Sequence, residues 1–324
     1  MRHRSYHHIY HCGSYRMSES KIIMPEKKLI QPGWHKDIPD TEYHTSNGTS
    51  STTLKNWLEN APNECLYKKI NPKGQTPAMV LGSLVHAFVL EPDTAESAYV
   101  VKPDRKKQSN VDKAFWAEWE EENEGLLWVS EDDEEKAKMM SLSVVEHPEA
   151  KLLLKDSINE SSIYWWYKKR DDNDDRDYKE MVKVRPDLIP QDYPMIGDLK
   201  TSEDATYQGF QRAVQKFYYH VSAAMYLDGV NRCEELKKEL EWPLYKHFAF
   251  IVVSKTPAFD TVKKRTMYNT AVYSLDYDAL EMGNVLYRTA MRRMFDGKKD
   301  DHPGIPEGIR DMSLQPWGKN VPSI

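Results

Sequence analysis

The sequence predicts an α/β (α+β) fold in which helices flank a mixed central sheet. Three observations support this fold class. In several long segments apolar residues recur at three- and four-residue spacing, which is typical of helices that pack on one face. Short apolar segments bounded by turn residues, such as residues 195–200, are typical of strands. Helical and strand-like segments alternate along the chain, so we expect helices to cover the sheet.

The bulk composition restricts the class of protein. A chain of 324 residues can bury a sizeable core, and no apolar segment approaches the length of a membrane span. Three scattered cysteines (Cys12, Cys65 and Cys233) exclude a disulfide framework and a four-cysteine iron–sulfur cluster, and they are typical of a reducing cytoplasm. The net charge of −6 argues against duplex binding over the whole surface, but it is compatible with basic groups in one groove beside acidic metal ligands.

We expect a disordered leader over residues 1–34, with Met17 as a candidate true start, and a single domain over residues 35–324. Within the domain, residues 103–140 form a strongly charged helical insertion with interleaved aromatic residues. We interpret the insertion as a surface lobe. The alternative is that its basic segment KPDRKK contacts a phosphate backbone.

Two helices are predicted before this insertion. N-capping residues precede LKNWLENAP, in which Leu54, Trp57 and Leu58 recur at helical spacing. The second helix runs from about Pro77 to Leu90 and is apolar enough to lie in the core. It carries His86 above a stripe of small residues. A histidine on an apolar helix is usually a satisfied core residue, and the alternative is that it faces a cavity holding a metal or substrate.

The most informative segment follows a strand meander that begins at Ser161 and turns at DDNDD. The last strand of the meander ends in Pro-Asp at Asp187, and the next strand ends in Asp198-Leu-Lys200. Since side chains alternate along a strand, Asp198 and Lys200 point to one side. The turn at residues 190–194 can bring Asp187 beside them, as two strands of a hairpin. Glu160, just before the meander, adds a third acid.

An acid two residues before a lysine is weak evidence by itself. The same spacing occurs at Glu134 and Lys136, in a charged segment where a solvated face is the ordinary explanation. The pair at Asp198 and Lys200 differs, because it closes an apolar strand and follows a strand that ends in Pro-Asp. Carboxylates and an ammonium that converge at strand ends are the groups a Mg²⁺-dependent phosphodiesterase needs.

The second half of the chain supplies helices and two further strands. We predict a helix over residues 204–229, in which Arg212, Lys216 and His220 are spaced four apart and give one polar, partly basic face. This face is either solvated or, beside an acidic metal site, a candidate DNA contact. Strands at 248–254 and 269–276 and a closing helix at 277–295 complete the domain, with the tail from Asp301 draped over the surface.

Several motifs together resemble those of a known family. The segments DIPDTEYH, SSTTLKNWLENAP, TPAMVLGSLVHAFVLEPD, VRPDLIP, IGDLKTSEDA, YHVSAAMYLDG and LQPWG occur in the order and at the approximate spacing of the exodeoxyribonuclease VIII group. This group comprises phage-type recombination exonucleases of the PD-(D/E)xK superfamily. The resemblance covers about residues 35–320 and implies a restriction-endonuclease-like PD-(D/E)xK core.

The resemblance also implies roles for single residues. It makes Asp187 and Asp198 ligands of Mg²⁺, with the Leu199 carbonyl completing the shell, and it makes Lys200 the group that orients and activates the attacking water. Further implied positions are Glu160 as the upstream acid, His86 as the helix histidine at the metals, and Tyr226 near the scissile strand. Two Mg²⁺ ions are expected, and Mn²⁺ is expected to substitute for them. We expect burial and nearby cations to lower the pKa of Lys200, which leaves open whether it orients water or acts as the base.

One position departs from the family pattern. The family usually has glutamine four residues before the tyrosine, and this chain has Ser222. A serine side chain is shorter and cannot make the two-sided contacts of an amide. The departure affects the DNA-contact role of Ser222 and the placement of Tyr226, but it leaves the metal site intact.

The implied activity is digestion of linear double-stranded DNA, 5′ to 3′, which leaves 3′ single strands for homologous recombination by strand annealing. Implied partners are duplex DNA ends, a single-strand annealing protein and further copies of this chain in a ring; no membrane is expected, and the location is cytoplasmic. Two alternatives stay open: a PD-(D/E)xK endonuclease or helicase-associated nuclease, and a degenerate nuclease fold that acts as a DNA-binding module.

Overall fold

The structure is a computed structural model that describes residues 28–171 and 174–305, without the side chains of residues 169–178. Most of the expected leader with Met17, the centre of the DDNDD turn and the tail beyond residue 305 lie outside the described residues. The division into leader, domain and insertion therefore stays a prediction. In the described part, no helix combines the length and the apolar character needed to cross a membrane.

Strands and helices alternate through the described residues. The strands are β1 (Gly33–His35), β2 (Tyr99–Val101), β3 (Leu127–Val129), β4 (Ile158–Asn159), β5 (Ser162–Asp171), β6 (Asp174–Val184), β7 (Leu188–Ile189), β8 (Met195–Ser202), β9 (His247–Asp260) and β10 (Arg265–Ser274). The α-helices are α1 (Asp40–Thr45), α2 (Ser51–Glu59), α3 (Pro62–Ile70), α4 (Pro77–Leu90), α5 (Asn110–Glu122), α6 (Glu131–Val145), α7 (Pro148–Leu154), α8 (Tyr207–Lys216), α9 (Tyr219–Arg232), α10 (Glu234–Glu239) and α11 (Tyr277–Lys299). A short 3₁₀ helix spans Ala95–Ser97.

The central sheet has five strands in the order β10-β9-β8-β7-β4. The β8–β9 pair is parallel and the other neighbours are antiparallel, so the predicted mixed sheet is confirmed. A second, antiparallel sheet has the order β1-β5-β6, and β2 and β3 form a separate parallel pair.

Helices cover both faces of the central sheet, as predicted. On β9, Phe250 enters a core formed with α2, α9 and α11, whereas its neighbour Ile251 enters a core formed with α4, α6 and α7. Ile196 and Leu199 of β8 divide between the two cores in the same way. Because each fully buried side chain of this size stabilises the fold by about 1.5–3 kcal/mol, the alternation fixes the register of β8 against its neighbours.

Two of the predicted helices have the predicted boundaries. The hydroxyl of Ser50 accepts a hydrogen bond from Thr53 N at 3.4 Å and caps α2. Thr76 caps α4, which spans Pro77–Leu90. The charged segment divides into α5, which has no buried residue, and α6, which contributes Met140 to the core beneath α4.

The single helix predicted over residues 204–229 is wrong. The chain forms α8 and α9, separated at Tyr218, whose backbone is left-handed with φ of 51°. This conformation costs a non-glycine residue about 1–2 kcal/mol, so the break must be held by packing. Gly283 of α11 supplies that packing, because a Cβ there would lie 2.1 Å from the carbonyl oxygen of His220.

The predicted hairpin is wrong in its first strand. β6 ends at Val184 and belongs to the other sheet, and the strand paired with β8 is the two-residue β7 that begins directly after Asp187. In this pair Leu188 lies opposite Gly197. A Cβ on Gly197 would approach Leu188 to 2.7 Å, so the close pairing requires glycine at this position.

Candidate active site

β8 carries an acid and a lysine on one face in the middle of the central sheet. Asp198 is buried, and its Oδ2 forms an ion pair with the Lys200 ammonium. Leu199, between them, points into the core on the opposite face. The alternation predicted from the sequence is therefore confirmed. This buried pair is the floor of the site.

Asp187 joins this pair although its strand partner differs from the predicted one. Its Oδ2 accepts a hydrogen bond from Leu199 N at 2.7 Å and lies 3.8 Å from Lys200 Nζ. The backbone bond fixes the carboxylate against β8, because a backbone N–H cannot rotate away from it. Asp187 thus lies beside Asp198 and Lys200, as the sequence predicts.

Glu160 reaches the site through the pairing of β4 with β7. Asn159 pairs with Leu188, which places the residue that follows β4 beside Asp187, and Glu160 N donates to Asp187 O at 3.2 Å. Glu160 has a left-handed backbone with φ of 49°. Strained residues of this kind are concentrated at functional sites, because the surrounding fold must hold them.

His86 approaches the same carboxylates from α4. Its Nε2 lies 2.7 Å from Leu199 O and its Nδ1 lies 3.6 Å from Asp187 Oδ2. A carbonyl oxygen can only accept, so Nε2 carries the proton and Nδ1 is directed towards the acids. Histidines that bind metals usually donate their other N–H to such a partner. The arrangement therefore favours the metal-site alternative for His86 over a core histidine.

We call His86, Glu160, Asp187, Asp198 and Lys200 the acidic centre. Ligand atoms of His86, Glu160 and Asp187 all lie within 4.8 Å of one another, which is a spacing suited to one cation. In the described part of the chain no lysine or arginine lies within ion-pair distance of Glu160. Carboxylate oxygens with one imidazole suit a hard divalent cation such as Mg²⁺ or Mn²⁺.

The acidic centre carries more negative charge than the neighbouring cations of the chain balance. Burial, and then the charge of Asp187, raises the pKa of Asp198 to about 6. The same two causes raise the pKa of Glu160 well above its usual range. A bound cation would relieve both effects, since it favours the ionised carboxylates. The residues present therefore fit a divalent metal.

The protein chain without cations does not lower the pKa of Lys200, and the expectation for the metal-bound site stays a prediction. Burial acts to lower the pKa, but the charges of Asp198 and Asp187 outweigh it, so the pKa of Lys200 is raised. Lys200 also donates to Leu199 O at 3.2 Å. As the Leu199 carbonyl accepts from Lys200 and from His86, both of its lone pairs are engaged. Its implied role as a metal ligand would require one of these bonds to be released.

Tyr226 lies on α9 beside the acidic centre. Its ring contacts Phe248 at 6.2 Å between centroids, and its pKa is raised by burial and then by neighbouring groups that include Tyr43 and Asp198. The tyrosine is thus near the carboxylates, and its implied place beside the scissile strand stays a prediction. Ser222 lies half-buried one turn before it, with its backbone N bonded to Tyr218 O at 3.3 Å.

The polar face predicted from Arg212, Lys216 and His220 is wrong. Arg212 and Lys216 are exposed on α8, and Arg212 pairs with Asp204 at 3.5 Å. His220 lies on α9 and is buried, because the break at Tyr218 redirects the chain. Burial lowers the pKa of His220, so it does not extend the basic surface.

Two further residues beside the acidic centre were missed. Lys55 of α2 and Tyr219 at the start of α9 lie near Asp198 and Lys200, whose charges shift the pKa of both side chains. In the sequence, Lys55 is one lysine between the apolar Leu54 and Trp57, and its position gives no sign of function. Only the packing of α2 against α9 brings it to the site.

Comparisons with known proteins agree with this architecture. A protein-family model described as "PDDEXK-like domain of unknown function (DUF3799)" matches residues 50–308. The crystal structure of a "putative exonuclease" from Eubacterium rectale is 12% identical, with a TM-score of 0.52 over 88% of this chain and 99% of the other. The crystal structure of a "phage related exonuclease" from Haemophilus somnus 129PT is 11% identical, with a TM-score of 0.30 over 78% and 96%. No curated protein sequence matches.

Proposed function

The chain belongs to this PDDEXK-like family, and we propose that it is a metal-dependent exonuclease that degrades linear double-stranded DNA. The observation that carries the proposal is the acidic centre. It combines two carboxylates and an imidazole within 4.8 Å of one another with a buried Asp198–Lys200 ion pair on the adjacent strand. The likeness to a structure described as an exonuclease supports the same reading.

The proposed metal is Mg²⁺, with Mn²⁺ able to replace it, and we propose two ions in each site. His86, Glu160, Asp187 and Asp198 would hold them. Divalent cations in such sites neutralise the phosphate, lower the pKa of water and stabilise the leaving oxygen. Lys200 is ion-paired with Asp198 and lies 3.8 Å from Asp187, so a substrate held by the metal ligands would also meet the lysine.

The chain's own groups then have distinct tasks. The Lys200 ammonium lies beside Asp187 and Asp198, where it can donate hydrogen bonds to the attacking water or to a phosphate oxygen. We assign it the role of orienting the water. Asp187 is held by Leu199 N and positions the lysine, while the Nε2 bond of His86 to Leu199 O fixes the imidazole. Tyr226 would lie beside the scissile strand, with Ser222 as its neighbour towards the DNA.

The finer parts of the proposal rest on the resemblance to the exodeoxyribonuclease VIII group. They are digestion from 5′ to 3′, delivery of 3′ single strands to an annealing protein in recombination, assembly of several copies into a ring around DNA, and a phage-type role in the cytoplasm. Arg212 and Lys216 are kept as candidate DNA contacts on α8, since both are exposed.

The test is digestion of end-labelled linear duplex in Mg²⁺, with closed circular duplex of the same sequence alongside. We expect wild type to shorten the linear DNA from its 5′ ends and to leave the circle intact. Asp198→Asn and Lys200→Ala are expected to lower the rate at least about 100-fold, because they remove a metal ligand and the orienting ammonium.

Asp192→Asn is the matched control. This exposed aspartate lies in the turn between β7 and β8, and its loss should leave the rate unchanged. Cleavage of the circle would establish an endonuclease instead. Full activity in both acidic-centre variants would overturn the site, and binding of DNA without cleavage by wild type would establish a binding module.

A further inference from the structure

A second lysine lies beside Lys200 and has no part in the proposed chemistry. The Lys55 Nζ atom is 5.3 Å from the centroid of the Tyr219 ring, and Lys200 Nζ is 5.6 Å from the same centroid. Two ammonium groups from different elements therefore meet at one aromatic side chain. Lys55 comes from α2 and Lys200 from β8, so the fold brings together two cations at the rim of the acidic centre.

Lys55 is held in this position by the core. Its neighbours Leu54 and Trp57 are buried between α2, α9 and α11, and Ser50 caps the helix. Because Leu54 and Trp57 anchor the backbone of α2 on either side of Lys55, the helix holds the Lys55 side chain beside the site. A freely moving surface lysine would have no such constraint.

The surroundings of Lys55 lack a matching negative charge. Among the described side chains, those of residues 28–168 and 179–305, no carboxylate lies within ion-pair distance of its ammonium. Burial, and then the charge of Lys200, lowers the pKa of Lys55 to about 8, and the more distant Asp198 and Glu59 only partly oppose this. A half-buried ammonium beside another ammonium is stabilised when an anion binds between or beside them.

We propose that Lys55 binds a backbone phosphate of the nucleic acid, next to the phosphate that lies at Lys200. This assignment rests on the proposed nuclease function and adds a substrate-positioning group to it. The Tyr219 ring lies within 5.6 Å of both ammonium groups and so brings the two cations to one place. Lys55 would thus fix the path of the strand through the site without taking part in bond cleavage.

The test is DNA binding without cleavage. Fluorescence anisotropy of a labelled linear duplex is measured in EDTA over a series of salt concentrations, for wild type, Lys55→Gln, Lys55→Arg and the control Lys238→Gln. Lys238 is exposed on α10, beyond the far end of α9, whose 14 residues span about 20 Å. We expect Lys55→Gln to weaken binding about tenfold and to reduce the slope of log K against log salt by about 0.9, the change for one phosphate contact.

Lys55→Arg is expected to restore the salt slope, and Lys238→Gln to leave it unchanged. A merely structural role for Lys55 would not alter the slope, because the slope counts ions released from phosphates. An unchanged slope in Lys55→Gln, or no DNA binding by wild type, would overturn the proposal. If wild type binds DNA with the expected slope change but does not cleave it, the nuclease proposal fails and the phosphate contact stands.

A second measurement needs no variant. Lysine acetylation of wild type by an N-hydroxysuccinimide ester is followed by mass spectrometry with and without duplex DNA. We expect DNA to protect Lys55 at least about fivefold while Lys238 is unprotected, because a phosphate contact covers one amine and leaves the other exposed. Equal acetylation of Lys55 in both samples would overturn the assignment even if Lys55→Gln failed to fold.

Discussion

Two buried polar clusters lie at the two ends of one short segment, residues 183–187, and they differ in how their charges are satisfied. At the first end Lys183 is buried and donates to Ser46 Oγ at 3.1 Å, to Ser46 O at 3.3 Å and to Tyr43 O. Arg185 donates to Ile38 O at 2.7 Å and to Ser162 Oγ at 2.9 Å. We call Lys183 and Arg185, together with the groups that accept their hydrogen bonds, the basic anchor.

Asp187 of the acidic centre lies two residues after Arg185 of the basic anchor. The two clusters differ in how their charges are balanced. Asp187 and Asp198 share the Lys200 ammonium, and burial raises the pKa of both Glu160 and Asp198. The basic anchor matches its cations with carbonyl and hydroxyl oxygens and with the Asp40 carboxylate, which lies 3.4 Å from Arg185, whereas the acidic centre keeps charge in excess. Satisfied buried charges hold a fold together, and unsatisfied ones are arranged for a ligand.

The first way to break this comparison is to remove a cation of the basic anchor. Lys183→Met removes the ammonium that donates to the Tyr43 and Ser46 carbonyls and leaves the Tyr43 carbonyl with the Ser46 hydroxyl as its donor; it is expected to lower the free energy of unfolding by about 3 kcal/mol. Urea denaturation measures the loss. Lys179→Met on the same strand is the control, because Lys179 is exposed and its ammonium lies over the Trp166 ring at 4.2 Å.

A fall of less than about 0.5 kcal/mol in Lys183→Met would contradict the structural role of the basic anchor. The segment 38–49 would then be held by its other contacts, such as the bridge between Thr49 and Val182.

The sequence predicted the chemistry of the acidic centre better than its scaffold. Asp198 and Lys200 were placed together by strand alternation alone, which is a local property of β8. The partner strand could not be predicted in the same way, because β7 has two residues and too little apolar pattern to be recognised. The longer β6 carries the stronger pattern, yet it pairs with β5 in the other sheet.

The same limit explains the helix that was predicted as continuous over residues 204–229. The apolar spacing continues through the break, so the periodicity gives no sign of it. At the break, Gly283 of α11 approaches the His220 carbonyl closely, a contact between residues far apart in the chain that no local pattern indicates. Lys55 was missed for a related reason, since its function would depend on α2 meeting α9. Local patterns predict elements, and distant contacts determine where elements end and which side chains meet.

The second way to sharpen the comparison is to supply the missing positive charge. Mg²⁺ at a hundredfold excess over its Kd is expected to stabilise wild type by about 2.7 kcal/mol relative to EDTA, by mass action on the folded state. Thermal denaturation measures the shift. Asp187→Asn keeps an acceptor for Leu199 N but removes a ligand charge, so its stability should respond much less.

Asp192→Asn serves as the control for the metal experiment and should respond as wild type does, since Asp192 is exposed and pairs only with Lys155 at 3.8 Å in the described residues. Equal Mg²⁺ stabilisation of wild type and Asp187→Asn would place the bound metal outside the acidic centre.

The smallest expected effect is a gain in stability, whereas Lys183→Met in the basic anchor is expected to cause a loss. Glu160→Gln replaces a half-buried carboxyl with a neutral amide of nearly the same size and should stabilise the metal-free protein by about 1 kcal/mol at neutral pH. Burial and then Asp187 raise the pKa of Glu160 above its usual 4.5, so above that pH the unfolded chain loses a proton that the folded chain keeps. The contribution of Glu160 to stability is therefore full below pH 4.5 and is lost as the pH rises through its raised pKa.

Urea denaturation in EDTA tests this sign at neutral pH and near pH 4.5, the usual value for the group. The advantage of Glu160→Gln over wild type should grow with pH, while Glu118→Gln on the exposed face of α5 should show no such trend. A loss of stability in Glu160→Gln at neutral pH would mean that the carboxylate is satisfied by the fold, as Lys183 is. The acidic centre and the basic anchor would then be built on the same principle, and the excess of negative charge would no longer distinguish a ligand site from a structural one.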